Sequence, residues 1–138
     1  MPWDSDGDGI VIGRLHHVVL DCPDPRTLAA FYSELLGLPV TYDSDDWVVV
    51  ATSDRASGVA FQLAPDHQPP SWQDPDRPQQ FHLDVMVDDK VVADARVRAL
   101  GAMPLTPDDP DRDVYADPAG HFFCLTNRPS WAPPVTAG

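Results

Sequence analysis

Cysteine is scarce: two residues, Cys22 and Cys124, in a chain of 138. A disulfide framework needs more in a shorter chain, so a reducing compartment is expected. No apolar run approaches the ~20 residues that cross a bilayer as a helix. The opening Met1-Pro2-Trp3-Asp4 has no basic start leading into an apolar stretch, so no secretion signal is read there and a cytoplasmic location is expected. Basic residues are also few. Nine Lys and Arg face 22 Asp and Glu, a formal charge of −13. A surface of that sign repels phosphate, which argues against nucleic acid and anionic membranes as partners. What is present is a core's worth of apolar side chains, 43% of the chain, which excludes wholesale disorder. Sixteen prolines imply fixed corners and few long helices.

Along the chain, Asp4, Asp6, Asp8 and Gly9 match the opening of a calcium loop. That loop needs a bidentate Glu at its twelfth position. Leu15 stands there, so residues 1–9 read as a solvated acidic tail. Residues 10–20 are β-branched or apolar and read as a strand ended by Pro23-Asp24-Pro25. Asp24 caps a helix with Pro25 at its first position. Leu28, Phe31, Tyr32 and Leu35 form its inward stripe, and Gly37 closes it. Three strands follow at 40–42, 47–52 and 59–63, then a proline-rich stretch from Pro65 to Pro78 carrying Trp72. The pattern then restarts: a strand at 81–87, a helix after Asp88-Asp89 carrying Val92, Ala95, Ala99 and nearby Leu100 and ended by Gly101, and strands at 103–106, 114–116 and 122–126. The segment from Asp108 to Asp113 reads as a charged turn, and 129–138 as an irregular tail.

Both halves therefore read strand, helix, three strands. His17 and Asp24 match His82 and Asp89 at one spacing, and Gln62-Leu63 match Cys124-Leu125 at nearly the same spacing. The expectation is an α+β domain over residues 10–128, with module one at 10–64 and module two at 80–128. The two βαβββ modules form a curved eight-stranded mixed sheet. Helices cover its convex face, and its concave face is a ligand cup. Strand parity assigns the faces, because successive side chains alternate. Leu20, Phe61, Val85, Phe123 and Leu125 belong under the helices. His17, Gln62, His82, Phe122 and Cys124 then face the cup, with Asp21 and Asp84 on the same side. His16 points the other way by the same rule.

The stretches His17-Val18-Val19-Leu20 to Asp24-Pro25, Phe31-Tyr32 to Leu36-Gly37, His82-Leu83-Asp84-Val85, and Asp117-Pro118-Ala119-Gly120-His121 to Cys124-Leu125 resemble the vicinal oxygen chelate superfamily. This is also called the glyoxalase/bleomycin-resistance/extradiol-dioxygenase fold. Phe61-Gln62, the loop at 69–72 and Gly120-His121-Phe122-Phe123 look like its glyoxalase-like domain group. The resemblance implies one metal ligand from each of four strands, at His17, Gln62, His82 and Cys124. Both imidazoles are in place, and the two carboxylates that metal-using members carry are replaced by Gln62 and Cys124. Without them the site is weak for Mg²⁺ or Mn²⁺, and a His₂Cys set suits Zn²⁺ only if Cys124 is a thiolate. A divalent metal and a metal-free cup both stay open.

Two functions are expected of such a chain. One is a cup that holds a small organic molecule. The other is a metal-dependent lyase, isomerase or dioxygenase of the superfamily. Its catalytic candidates are His17, His82 and Asp84, the last a general base beside His82. Ligand-binding candidates are Gln62, Trp72, Cys124, Phe122, Trp47 and Tyr115. Trp72 either stacks on a ligand or pins its own loop. Trp47 and Tyr115 are either cup wall or core. His121 sits in a turn, where it makes turn hydrogen bonds or lines the rim. Modules of this kind pair, so a homodimer is the expected assembly.

Overall fold

The computed structural model describes residues 11–106, 113–127, 131, 133 and 135. The Asp4, Asp6, Asp8 and Gly9 segment, the turn from Asp108, and most of the tail lie outside the described residues. Module one runs β1 (His17–Cys22), α1 (Pro25–Leu36), β2 (Val40–Asp43), β3 (Trp47–Ala51) and β4 (Gly58–Leu63). Module two repeats it: β5 (Leu83–Met86), α2 (Lys90–Ala99), β6 (Met103–Pro104), β7 (Val114–Ala116) and β8 (Phe122–Thr126). Each module forms its own four-stranded mixed sheet, in the orders β1-β4-β3-β2 and β5-β8-β7-β6. The eight strands are thus two sheets rather than one. Among the described residues no ladder joins β1 to β5, and the modules are held together by packing and by hydrogen bonds that involve side chains.

The elements start and stop for local reasons. Asp24 has an extended backbone, and its side chain accepts from Thr27 N at the mouth of α1, with Pro25 following. Gly37 ends α1 in the left-handed region at φ 68°. Asp89 caps α2 by accepting from Val91 N and Val92 N. β1 is shorter than residues 10–20 because its parallel ladder begins where His17 meets Gly58. Before that point there is no strand to pair with, and Ile12 and Leu15 are exposed.

One core joins the modules. Leu20, Cys22, Leu28, Phe31, Tyr32, Val48, Val50, Phe61, Val85, Val97, Tyr115, Phe123 and Leu125 form a single buried cluster between the helices and one face of both sheets. The parity assignment therefore holds on β1, β4, β5 and β8. Burial of each such side chain contributes about 1.5–3 kcal/mol. Tyr115 is part of this core, 1% exposed and stacked on Phe123 at 5.4 Å, so it is no cup residue. Its Oη donates to Asp94 at 2.6 Å. The face of α2 carrying Ala93 and Val97 packs into the core beside that bond, while Val92, Ala95 and Ala99 stay exposed. Val49, Ala51 and Ala60 form a second small cluster on the other face of the first sheet, with Trp47 packed on it. Trp47 is thus on the cup side and half-buried.

At the module boundary Tyr32 Oη of α1 donates to Asp117 Oδ2 at 2.6 Å, both residues buried. Asp117 Oδ1 also accepts from Ala119 N and His121 N, which shapes the turn into β8. Burial pushes the Asp117 carboxyl above its ordinary range, against the pull of those donors. Tyr32→Phe leaves a buried carboxylate one donor short. Urea unfolding of that variant is expected to show a loss of about 1–3 kcal/mol with unchanged far-ultraviolet circular dichroism. A loss well under 1 kcal/mol counts against the bond as a module tie.

Candidate functional site

The cup side of the two sheets carries Val19 and Asp21 from β1, Gln62 from β4, Asp84 from β5, and Phe122 and Cys124 from β8. Ladder register decides which of them meet. On the parallel β1–β4 pair, His17 lies level with Gly58, and Gln62 lies level with Asp21. Four residues of strand, about 13 Å, therefore separate His17 from the level of Gln62. On β5–β8, Asp84 lies level with Cys124. Asp21 and Asp84 are thus the structurally equivalent pair, and continuing the second ladder back puts His82 level with Phe122. The position equivalent to His82 in module one is Val19, not His17. The equal spacing of the two histidines from their helix caps arises because module two has a longer link from strand to helix.

The described residues bring His82, Asp84 and Cys124 together, with one donor atom of each within 4.8 Å of the others. His82 Nε2 is 3.2 Å from Asp84 Oδ1. His17 is not in that group, and Gln62, level with Asp21, stands four residues along the strand from the level of His17. His17 instead stacks on His16 at 3.7 Å between ring centroids. Partial burial, and then the charge of His16, holds the His17 imidazole below its ordinary range. His16 precedes β1, so alternation does not govern it and its ring lies over its neighbour. The four donors implied by the resemblance therefore do not form one group.

Cys124 is half-buried. Desolvation, then the carboxylates of Asp113 and Asp84, push its thiol up to about 11. It is neutral at physiological pH and not an activated nucleophile. Cys22, also free, is buried in the core with its thiol pushed up to about 11, chiefly by desolvation.

A concavity opens on the cup side of β1 and the start of β8. It has a volume of about 420 Å³ and takes one wall from Val19 and Asp21, another from the loop 67–81, and its end from His121 and Phe122. The loop supplies Pro69, Pro70, Pro78 and Phe81 as apolar surface and Arg77 as a cation. Sequence reasoning missed His67, Arg77 and Phe81. The available signal was the loop's length, well beyond ordinary connections.

Specific contacts hold that loop in place. Ser71 N donates to Arg77 O and Arg77 N to Asp74 O, closing a compact turn in which Gln73 adopts φ 63°. The Arg77 guanidinium donates to Pro69 O at 3.1 Å. Trp72 meets Phe122 edge-on at 5.6 Å, so the indole pins its loop to the cup side of β8. His67 Nε2 lies 3.0 Å from Ala119 O, and His121 Nε2 lies 2.7 Å from Asp21 O. A carbonyl only accepts, so each ring donates from Nε2. The two rings lie 4.8 Å apart, and His121 links module two to β1. His121 thus serves both the turn and the cleft.

Gly120, at φ 91°, is where turn and loop meet. A Cβ there would come within 2.5 Å of Pro69 Cβ. Gly120→Ala is expected to cost more than about 1 kcal/mol, from backbone strain and the clash together. It should also lift the loop. Trp72 fluorescence, isolated by comparison with Trp72→Phe, should shift to the red. An unshifted spectrum in a destabilised protein would mean that the loop does not depend on this contact.

The glyoxalase-like domain family matches residues 17–126. A comparison with curated proteins found no match. Among solved structures, the chain is similar to a glyoxalase/bleomycin resistance protein/dioxygenase family enzyme from Burkholderia phytofirmans PsJN, at 19% identity and TM-score 0.63, covering 83% of this chain and 98% of that one. An antibiotic-binding protein from Streptomyces sp. CB03234 is similar at 19% identity and TM-score 0.54, covering 86% and 98%. A fosfomycin resistance protein from Listeria monocytogenes, complexed with Mn(II) and sulfate ion, is similar at 16% identity and TM-score 0.59, covering 88% and 94%. At such identities these likenesses bear on the fold alone.

Proposed function

Because the chain belongs to the glyoxalase-like domain family, we propose that it binds a small organic molecule in the cleft between β1, the loop 67–81 and the start of β8, through its own side chains. The observation that carries this reading is the composition of the cleft walls. Phe81, Phe122 and three prolines offer flat apolar surface, while Asp21, His67, Arg77 and His121 place polar groups around it. A volume of about 420 Å³ suits a molecule of drug or metabolite size. Arg77 presents a guanidinium for an anionic or carbonyl oxygen, and the imidazoles of His67 and His121 add polar ring edges for hydroxyl or amide groups. Phe122 and Phe81 supply faces for a ring. The antibiotic-binding protein among the structural neighbours supports a holding role without turnover.

The second reading is a metal-dependent enzyme of the superfamily, acting as a lyase, isomerase or dioxygenase. The neighbour complexed with Mn(II) favours it. The four donors implied for it fit poorly here. Two lack a carboxylate, and register separates His17 from Gln62. A hard ion such as Mn²⁺ wants charged oxygens at those places. Within this reading His82 and Asp84, 3.2 Å apart, are the pair able to pass a proton.

Anilinonaphthalene sulfonate and benzoate serve as probes, followed by isothermal titration calorimetry and by Trp fluorescence. At least one is expected to bind near 1:1, to lose tenfold or more in affinity in Phe122→Ala and in Arg77→Ala, and to be indifferent to a chelator. Binding that a chelator abolishes and Mn²⁺ restores would replace the first reading with the second. Binding of neither probe at millimolar concentration would remove the cleft as a ligand site.

A further inference from the structure

The donors that do converge belong to one module. His82 and Asp84 stand two residues apart, which puts both side chains on the same face. Cys124 stands on the adjoining strand, level with Asp84. One donor atom of each lies within 4.8 Å of the other two, and the His82–Asp84 separation is 3.2 Å. In a tetrahedral site with bonds of about 2.0–2.3 Å, donors stand roughly 3.3–3.8 Å apart. The three groups therefore need only small side-chain adjustments to share an ion.

We propose that module two alone carries a site for a borderline-soft divalent cation of the Zn²⁺ class, held by His82, Asp84 and Cys124, with His17 and Gln62 taking no part. The donor chemistry sets the class. One sulfur, one nitrogen and one carboxylate oxygen suit Zn²⁺ or Co²⁺, whereas Mg²⁺ and Mn²⁺ prefer oxygen throughout. Coordination removes the Sγ proton of Cys124 to solvent and forms an S–metal bond. The thiolate and the Asp84 carboxylate then balance the two charges of the ion. No oxidant or reductant is involved. Asp113 and Lys90 both act electrostatically on the thiol, one carboxylate and one ammonium. His82 and Asp84 are partly exposed, with side chains 43% and 63% accessible, so a fourth position lies open to solvent on the cup side. A three-ligand site with an open position is the pattern of zinc that exchanges a bound water.

This site is independent of the cleft reading, because its donors are not cleft-wall residues. The test is titration of the full chain with Co²⁺ under reducing conditions. One equivalent is expected to give a thiolate-to-cobalt charge-transfer band in the near ultraviolet and visible bands of tetrahedral intensity, both erased by Zn²⁺. Cys124→Ser should abolish the charge-transfer band. His82→Ala and Asp84→Asn should each weaken binding at least tenfold. His17→Ala and Gln62→Ala should leave it unchanged. Should Cys124→Ser fold poorly, alkylation of the wild-type chain gives the same answer: Zn²⁺ should protect Cys124 from iodoacetamide, while Cys22, fully buried, stays silent in the folded protein. Dependence of the bands on His17 or Gln62, preference for Mn²⁺, or no bands at millimolar Co²⁺ would each overturn the proposal. Probe affinity at the cleft, measured in Cys124→Ser, reports on the cleft separately and is expected to hold.

Discussion

The Asp117 carboxylate is the point on which the site depends. It is buried between the modules and accepts three hydrogen bonds, from Tyr32 Oη and from the backbone N–H groups of Ala119 and His121. The first fixes α1 of module one against module two. The other two set the turn entering β8, and with it the place of Gly120, His121 and Phe122. From that turn, His121 reaches the main chain of β1, and Gly120 gives Pro69 room to close in. A carboxylate without such partners would be costly at this depth. With them, the penalty of burial is offset in part by charge-assisted bonds whose directions specify one arrangement. No sheet hydrogen bonds join the modules among the described residues, so this polar knot and the shared core carry the orientation of one cup wall relative to the other.

Much of the fold is legible in the sequence because its signals are local and redundant. Asp24-Pro25 and Asp89 announce helix starts, and Gly37 announces an end. Strand parity works because four strands give the same answer independently, and a misjudged register on one would stand out against three others. Tyr115 shows the limit. Alternation tells which residues share a face, but β7 is only three residues long, Val114–Ala116, and too short to say which face meets the helices. Tyr115 proves to be core because its ring fits over Phe123 and its hydroxyl finds Asp94. The phase of α2 is the one that buries Val97 with Ala93 in the shared core and brings Asp94 to that hydroxyl.

The site is less legible, for a different physical reason. Equal spacing between a histidine and a helix cap looks like equivalence only if the strand-to-helix link has one length in both modules. Sheet register shows that it does not. Hydrogen-bonded ladders are set by pairing across strands, and sequence distance along one strand carries no information about its neighbour. Module two spends more residues between its strand and its cap, so His82 stands two residues further from that equivalence than spacing suggests. The cleft escapes sequence reading for a related reason. Its wall is the loop 67–81, which has no periodicity, and its shape comes from contacts to Phe122, Ala119 and Gly120 that lie far away in the chain.

These two observations bear on how the chain divides its chemistry. In a symmetric cup the two modules would contribute alike, and an ion or ligand would sit on the axis between them. Here the strands remain paired by symmetry while the side chains do not. Module one offers Val19, Asp21 and the His121-anchored edge to a cleft, and its own histidine, His17, lies over His16. Module two gathers an imidazole, a carboxylate and a thiol on adjoining strands. A duplicated fold is free to do this, because each half keeps its core on the helix side and leaves the cup side under few packing constraints. With Gln62 and Cys124 standing where the resemblance implies carboxylates, those two places offer no charged oxygen to a hard ion. What remains is a soft donor set to one side of a mixed apolar and polar cleft. On this geometry the two are neighbours sharing β8, with Phe122 facing the cleft and Cys124, two residues on, facing the donors.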